Sequence, residues 1–317
     1  MDAATKDLYI RMAQMYYDQD LTQSQIAKQT GINRSTVSRI LKKTRELGLV
    51  KITINADLND LTLEQQMKEK YGLKQATVVA VDPLQPREIK LALIGRACAR
   101  LLNQIAEDND VIGFSWGSTL AEVIRALDVT TERRNMACVP LLGGPANRIS
   151  SDYHVNTICY EAARKFAGQS LMIDFPAIVE RPAMREAILQ TDYYQDIEQM
   201  WQQISVAVFG IGSTEIAGRS TWRAFYGENA IQRLKQQGVC GDICSQFFDS
   251  NGRIISTYLS ERTIAMPLER LKRLRYAIGI AESLEKVNGI RGALKGGYLN
   301  VLVTTDETAA AIIAADG

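Results

Sequence analysis

Six apolar runs, each followed by an amphipathic stretch, limit the fold of this chain more tightly than any other feature. They are "ATVVAVD" (76–82), "DVIGFSW" (110–116), "NMACVPLL" (135–142), "SVAVFGIG" (205–212), "YAIGIA" (276–281) and "LNVLVTT" (299–305). Each is short and apolar on both faces, so each reads as a strand buried between two layers. Alternated with helices, such strands build a doubly wound, mostly parallel α/β domain, expected over residues 75–317. Ligands of that architecture gather at the carboxyl ends of the strands. The residues just after each run are therefore the informative ones.

Three of these turns are rich in glycine and hydroxyls: "GFSWGST" (113–119), "LLGGPAN" (141–147) and "GIGST" (210–214). The first ends a strand and opens a helix. Its backbone N–H groups, with Ser115, Trp116, Gly117, Ser118 and Thr119, suit an anion such as a sugar phosphate. Gly143, Gly144, Gly210, Gly212 and Ser213 belong to the other two turns. One such turn alone is more often simple left-handed geometry, but three at strand ends make ligand binding an even alternative. None has P-loop spacing, and "GIGST" lacks the third glycine of a dinucleotide fingerprint, so no nucleotide cofactor is expected.

Two charged residues stand out. Asp242, in "GDICSQFFDSNG", lies between glycine and an apolar run, where a carboxylate is awkward unless it accepts hydroxyl hydrogen bonds. Lys295, in "ALKGGYLNVLVT", precedes a buried strand and suits a phosphate. Asp249 reads as a turn residue, and His154 as a helix-start or packing histidine rather than a catalytic base.

A different pattern fills residues 1–55. Thr22 followed by Gln25 is a capping box; Ile26 and Ala27 give a short inner face, and Gly31 suits a sharp turn. Asn33 or Ser35 can cap the next helix, whose inner positions are Val37, Ile40, Leu41 and Leu47. A helix over about 7–17 offers Leu8, Ile10, Met12, Ala13 and Tyr16 as partners, and "VKITIN" (50–55) reads as a wing. The outer face of the second motif helix carries Arg34, Ser35, Thr36, Ser38, Arg39, Lys42 and Lys43.

This is a helix-turn-helix suited to duplex DNA. The major groove admits one α-helix, and Arg34 and Arg39 can donate to guanine O6 and N7 there. Ser35, Thr36 and Ser38 let the helix sit deep, with Asn33 at its start. Lys42, Lys43, Thr22 and Gln23 are placed for phosphates. A solvated basic helix is the bland alternative, outweighed by the capping box, glycine turn and small-residue face together.

Charge supports the division. Residues 28–51 hold seven basic side chains against Glu46 alone, a local +6 in a chain of net +1. The remaining −5 lies elsewhere, so only the head is expected to meet a polyanion. At 317 residues with 46% hydrophobic and 23% charged content, two globular domains are expected. Residues 56–74, "ADLNDLTLEQQMKEKYGLK", carry Leu61, Leu63, Met67 and Tyr71 on one helical stripe. That segment reads as a linker or oligomerisation helix, with packing on the large domain an equal alternative. A lone helix-turn-helix buries little surface, so pairing of two copies is expected. The start, "MDAATKDLYI", lacks the marks of a signal peptide, and no run approaches a membrane span. The five cysteines are odd in number, and a single histidine leaves no metal set. A cytoplasmic protein with reduced thiols, no metal and no membrane partner is expected.

Taken together, "LTQSQIAKQTGINRSTVSRIL", "IGFSWGST", "LLGGP", "VAVFGIGS", "GDICSQFFD" and "LKGGYLNVLVT" resemble the SorC family of bacterial transcriptional regulators, most nearly those of sorbose or polyol operons. The likeness runs from near residue 8 to about 312. It implies an effector domain like the sugar-phosphate isomerase fold of glucosamine-6-phosphate deaminase and ribose-5-phosphate isomerase, and a homodimer or homotetramer. It also implies operator binding controlled by a sugar, polyol or sugar phosphate held by "GFSWGST", Asp242 and Lys295. In the family's deoxyribonucleoside regulator a lysine before the "GG" turn bonds covalently to an aldehyde effector. Here Leu142 stands at that position, so non-covalent binding is implied. The competing reading is an active sugar-phosphate isomerase or deaminase with a DNA-binding appendage. It is disfavoured because ring opening and enolisation need a base and a proton shuttle, and no pair of acids stands together at a strand end.

Overall fold

Six side chains hold the first unit together. Met12, Met15, Ile26, Val37, Ile40 and Leu41 are buried against one another and come from helices α1 (Ala3–Tyr17), α2 (Gln23–Thr30) and α3 (Arg34–Glu46). The structure, a computed structural model, describes residues 3–17, 19, 21–50, 60–129, 133–146, 149–217 and 220–316. It divides into residues 1–56 and residues 57–317. The expected wing falls almost wholly on residues 51–59, outside the described residues.

Local chemistry sets each helix end in this unit. Thr22 and Gln25 form the full capping box at the start of α2, and Gly31 closes it at φ 70°. Asn33, not Ser35, caps α3: its side-chain oxygen accepts from the Thr36 N–H at 2.8 Å, and the Ser35 hydroxyl donates to that same oxygen. Two expected core positions fail. Leu8 is 38% and Leu47 46% exposed, the latter because α3 ends at Glu46. Thr44 takes the inner position instead, with its hydroxyl donated to the Leu41 carbonyl.

The second unit is built on one sheet of seven parallel strands. In chain order these are β1 (Gln75–Val79), β2 (Val111–Phe114), β3 (Ala137–Pro140), β4 (Gln169–Ser170), β5 (Ile204–Gly210), β9 (Tyr276–Ile280) and β10 (Val301–Thr305), the intervening numbers belonging to a second, antiparallel sheet of β6 (Gly212–Ser213), β7 (Gly241–Ile243) and β8 (Gln246–Phe248). The large sheet runs β1-β10-β9-β5-β2-β3-β4. All six apolar runs supply strands to it. Alternate residues serve opposite layers: Ile112, Phe114, Val206, Val208, Ile278 and Ile280 face one core, Ala207, Phe209, Ala277 and Leu302 the other.

That order positions the site. From β2 the chain moves outward to β3 and β4; from β5 it moves the opposite way to β9 and β10. Adjacent β2 and β5 are thus a topological switch point, where a crevice opens beyond their carboxyl ends. Helix α4 (Leu61–Tyr71) packs within this unit: Met67 is fully buried, and Glu64 accepts from the Val78 N–H at 3.0 Å. Among the described residues no helix is long and apolar enough to cross a membrane.

The small core of the first unit leaves it little reserve. Leu41→Ala, at a site 3% exposed, should cost about 2–5 kcal/mol, comparable with the whole stability of a domain that size. Band-shift assays should show operator binding lost, while the thermal shift of the second unit with its ligand persists. Retained operator binding would mean that the six-residue core is not what holds α3.

Candidate functional sites

In the first unit α3 keeps its apolar side inward and offers the other to solvent. Arg34, Ser35, Ser38, Arg39, Lys42 and Lys43 are exposed, and Thr36 is half-buried. Asn33 lies at the same end but is engaged as the cap. Lys43 pairs with Glu46 at 3.1 Å on the surface, a contact weak enough to exchange for a phosphate. Thr22 and Gln23, at the start of α2, line a shallow cleft with Tyr17 and Arg34. All ten predicted DNA contacts therefore belong to this face or to the adjoining helix start.

In the second unit a cavity lies beyond β2 and β5, lined by residues of the turns that follow both strands. Helix α6 (Ser118–Ala126) follows β2 and begins at Gly117, whose φ of 127° suits glycine. No side chain caps it. Its first N–H groups, with the positive end of the helix dipole, are available to an anion. Ser115, Trp116, Ser118 and Thr119 line the same wall. The Trp116 indole N–H is buried and, among the described residues, has no hydrogen-bond partner, so a ligand oxygen there would relieve a costly unpaired donor.

Opposite stands Asp242 on β7. Its Oδ1 accepts from Trp222 Nε1 at 2.5 Å, and its Oδ2 from the Ser245 N–H at 3.0 Å and the Tyr226 hydroxyl at 3.3 Å. Burial pushes its carboxyl up to about 6, with those hydrogen bonds pulling the other way. Asp242 also steadies a strained turn. Cys244 and Ser245, the two residues joining β7 to β8, have φ of 52° and 60°, where a type I′ turn favours Asn-Gly. Both line the cavity. Gly212 lets the pair approach: a Cβ there would collide with Asp242 Oδ1 and Trp222 Nε1.

Two cations complete the lining. Arg87, at the first position of helix α5 (Arg87–Ile105), donates to buried Glu282 at 2.9 Å. Lys286 is buried, and among the described residues its Nζ makes no hydrogen bond or ion pair. Burial lowers its ammonium to about 8, against the opposing pull of Glu282.

The structure thus brings Ser115, Trp116, Gly117, Ser118, Thr119, Gly210, Gly212 and Asp242 together, and it places four other expected residues elsewhere. Lys295 sits on the far end of helix Val287–Lys295, 3.1 Å from Asp316. Gly143 packs on the backbone of Pro176, Gly144 against the His154 ring, and Ser213 gives its hydroxyl to the Glu285 carbonyl. Leu142, their neighbour, is the one that reaches the cavity. His154 caps helix Val155–Lys165, as a helix-start residue should. Arg87, Trp222, Ser245 and Lys286 went unread in the sequence. Lys286 had a signal, since it follows the "YAIGIA" run by five residues.

Residues 57–314 match a family model described as "Putative sugar-binding domain", and residues 13–57 match the MarR family. The Sorbitol operon regulator of Klebsiella pneumoniae is 44% identical over 303 residues, 95% of this chain and 96% of that protein. The chain belongs to the SorC family of transcriptional regulators. The Deoxyribonucleoside regulator of Bacillus subtilis (strain 168) is 31% identical over 314 residues, 99% of each chain. Among solved structures, the full-length SorC of Klebsiella pneumoniae superposes with a TM-score of 0.86 at 43% identity, covering 99% of each chain. A transcriptional regulator from Streptococcus pneumoniae TIGR4 gives 0.74 at 32%, covering 81% of this chain and 97% of that one. In this chain a helix-turn-helix precedes a large, mostly parallel α/β sugar-binding domain.

Gly212→Ala tests the close approach around Asp242. The added methyl should push Trp222 and Asp242 apart, cost about 1–3 kcal/mol as overpacking does, and remove the ligand-induced thermal shift. An unchanged melting point and ligand response would show that the wall yields.

Proposed function

We propose that this SorC-family protein binds operator DNA through α3 and takes a polyhydroxylated effector, a sugar, polyol or phosphate ester of one, in the switch-point cavity. The observation that carries this is the lining itself. An uncapped helix start, Arg87 and buried Lys286 favour an anionic end, while Asp242, Trp116 and the serine and threonine hydroxyls favour a hydroxylated chain. The SorC relative named for a sorbitol operon points to a hexitol or its phosphate as the first ligands to try. Two copies acting together, as a homodimer or a homotetramer, would give the DNA contact its needed surface and symmetry.

Two substitutions test the reading. Arg39→Ala should weaken operator binding by about 1–3 kcal/mol if the guanidinium reads a base, and band-shift titrations against random duplex show whether the loss is sequence-specific. Equal loss on both would demote Arg39 to a phosphate contact. Asp242→Ala should leave operator binding intact and abolish the effector response; losing both together would argue against a sensing role.

The pH dependence separates ligand classes. Asp242 is ionised above about 6 and then accepts a hydroxyl; Lys286 keeps its charge below about 8 and then holds a phosphate. Affinity for sorbitol 6-phosphate, read from tryptophan fluorescence, should be greatest between those values. Unphosphorylated sorbitol should show the acid limb alone. A profile flat from pH 5 to 9 for both would remove Asp242 and Lys286 from the contact. Turnover of either compound would favour the competing isomerase reading.

A further inference from the structure

Two helices lead from the cavity wall to one carboxylate. Helix Val287–Lys295 starts directly after Lys286. Helix Asp306–Ala315 is tied near its own start to the segment that leads into Lys286, where Thr308 Oγ1 accepts from the Ser283 N–H at 3.1 Å. Ser283 holds a strained φ of 107°. The two helices pack on each other, and their far ends meet at Asp316. Oδ1 of Asp316 takes Arg291 and, at 3.1 Å, Lys295, both from the first helix. Oδ2 takes the hydroxyl of Tyr71 at 2.6 Å. Tyr71 is the last residue of α4, and its neighbour Lys70 donates to the Ile313 carbonyl at 2.9 Å.

We propose that Asp316 is a latch: occupancy of the cavity moves the helix pair, turns this carboxylate and frees Tyr71, so that α4 shifts and operator affinity changes. The inference rests on the effector reading of the cavity given above. The division of labour within one carboxylate makes the latch discrete. Its first oxygen is committed to the helix that starts at Lys286, its second to the helix that follows the DNA-binding unit in the chain. A shift of the first helix cannot keep both sets of short contacts. The Asp316 side chain is 12% exposed, so water does not replace a lost partner at no cost. The latch is not a pH switch, because Arg291 beside it holds the carboxyl well below the usual range. A ligand can bias such an element only by binding its two states unequally, and the strained Ser283–Lys286 segment is where the cavity differs between them.

The test uses the full chain, a promoter fragment from its own chromosomal neighbourhood and sorbitol 6-phosphate as probe. Asp316→Asn and the milder Tyr71→Phe are compared with the parent, folding being checked by circular dichroism. With no sugar present, both variants should bind operator with an affinity within threefold of the parent saturated with probe. Adding probe should then change their operator affinity less than twofold, while its own affinity, read from tryptophan fluorescence, stays within threefold of the parent's. Variants that match the sugar-free parent on operator, with the full response retained, overturn the latch and leave the effector reading standing. If the probe fails to bind the parent, the effector reading fails for that ligand. The sugar-free operator affinities still decide the latch, a change of less than threefold from the parent overturning it.

Discussion

The parting of β2 and β5 governs the rest of the large unit. Two parallel strands that pair side by side but send their following segments to opposite edges leave a crevice with no crossing connection above it. The segment leaving β2 turns sharply at Gly117 to open α6, while Gly210 ends β5 and Gly212 makes room for Asp242 and Trp222. Because parallel strands present their carbonyl ends together and the next helices their N–H ends, the crevice gathers unpaired donors. Polar chemistry collects there as a consequence of topology.

Asp242 then shows how that chemistry is kept ready. An ionised carboxylate taken out of water costs several kcal/mol unless it is paired or well hydrogen-bonded. Here three donors offset the cost in part, and the remainder appears as the rise to about 6. One of the three, from the Ser245 N–H, ties Asp242 to the turn in which Cys244 and Ser245 have positive φ, a conformation that costs non-glycine residues about 1–3 kcal/mol each. A site that holds such strain has free energy to redistribute when an oxygen-rich ligand takes over some of those hydrogen bonds. Nearby Lys286 is a buried cation whose Nζ, among the described residues, makes no hydrogen bond or ion pair.

How much of this could be read from the chain follows from the range of each interaction. The six apolar runs and the capping box at Thr22 are local patterns, and local patterns are legible; so is Asp242, because a carboxylate beside an apolar run is a local contradiction. The seven-strand order depends on pairings between residues up to 226 positions apart, such as Gln75 with Val301, and the runs give only the strands, not their neighbours. Lys295 misled because its sequence context, just before a strand, resembles that of a cavity residue. It lies at the wrong end of its helix, nine residues and a full helix length from Lys286. The Gly143-Gly144 turn misled for a different reason: its glycines serve close packing on Pro176 and His154, a use that spacing alone does not distinguish from a cradle. The antiparallel sheet of β6, β7 and β8 escaped notice because its strands are two or three residues long, below the reach of any period.

The magnitudes fit a regulator better than a rigid assembly. A tenfold change in operator affinity needs only about 1.4 kcal/mol of difference between two states, which is the net scale of one or two hydrogen bonds. The basic head, with its local +6, supplies a large and sequence-blind attraction to DNA. Against that background a control device need not break the protein–DNA contact outright. It has only to change the placement of a recognition helix whose base contacts are each worth a comparable amount. Small buried polar contacts inside an otherwise apolar α/β unit are the elements of the right size, which is why the proposed control rests on the carboxylates of Asp242 and Asp316 and not on the far larger apolar core.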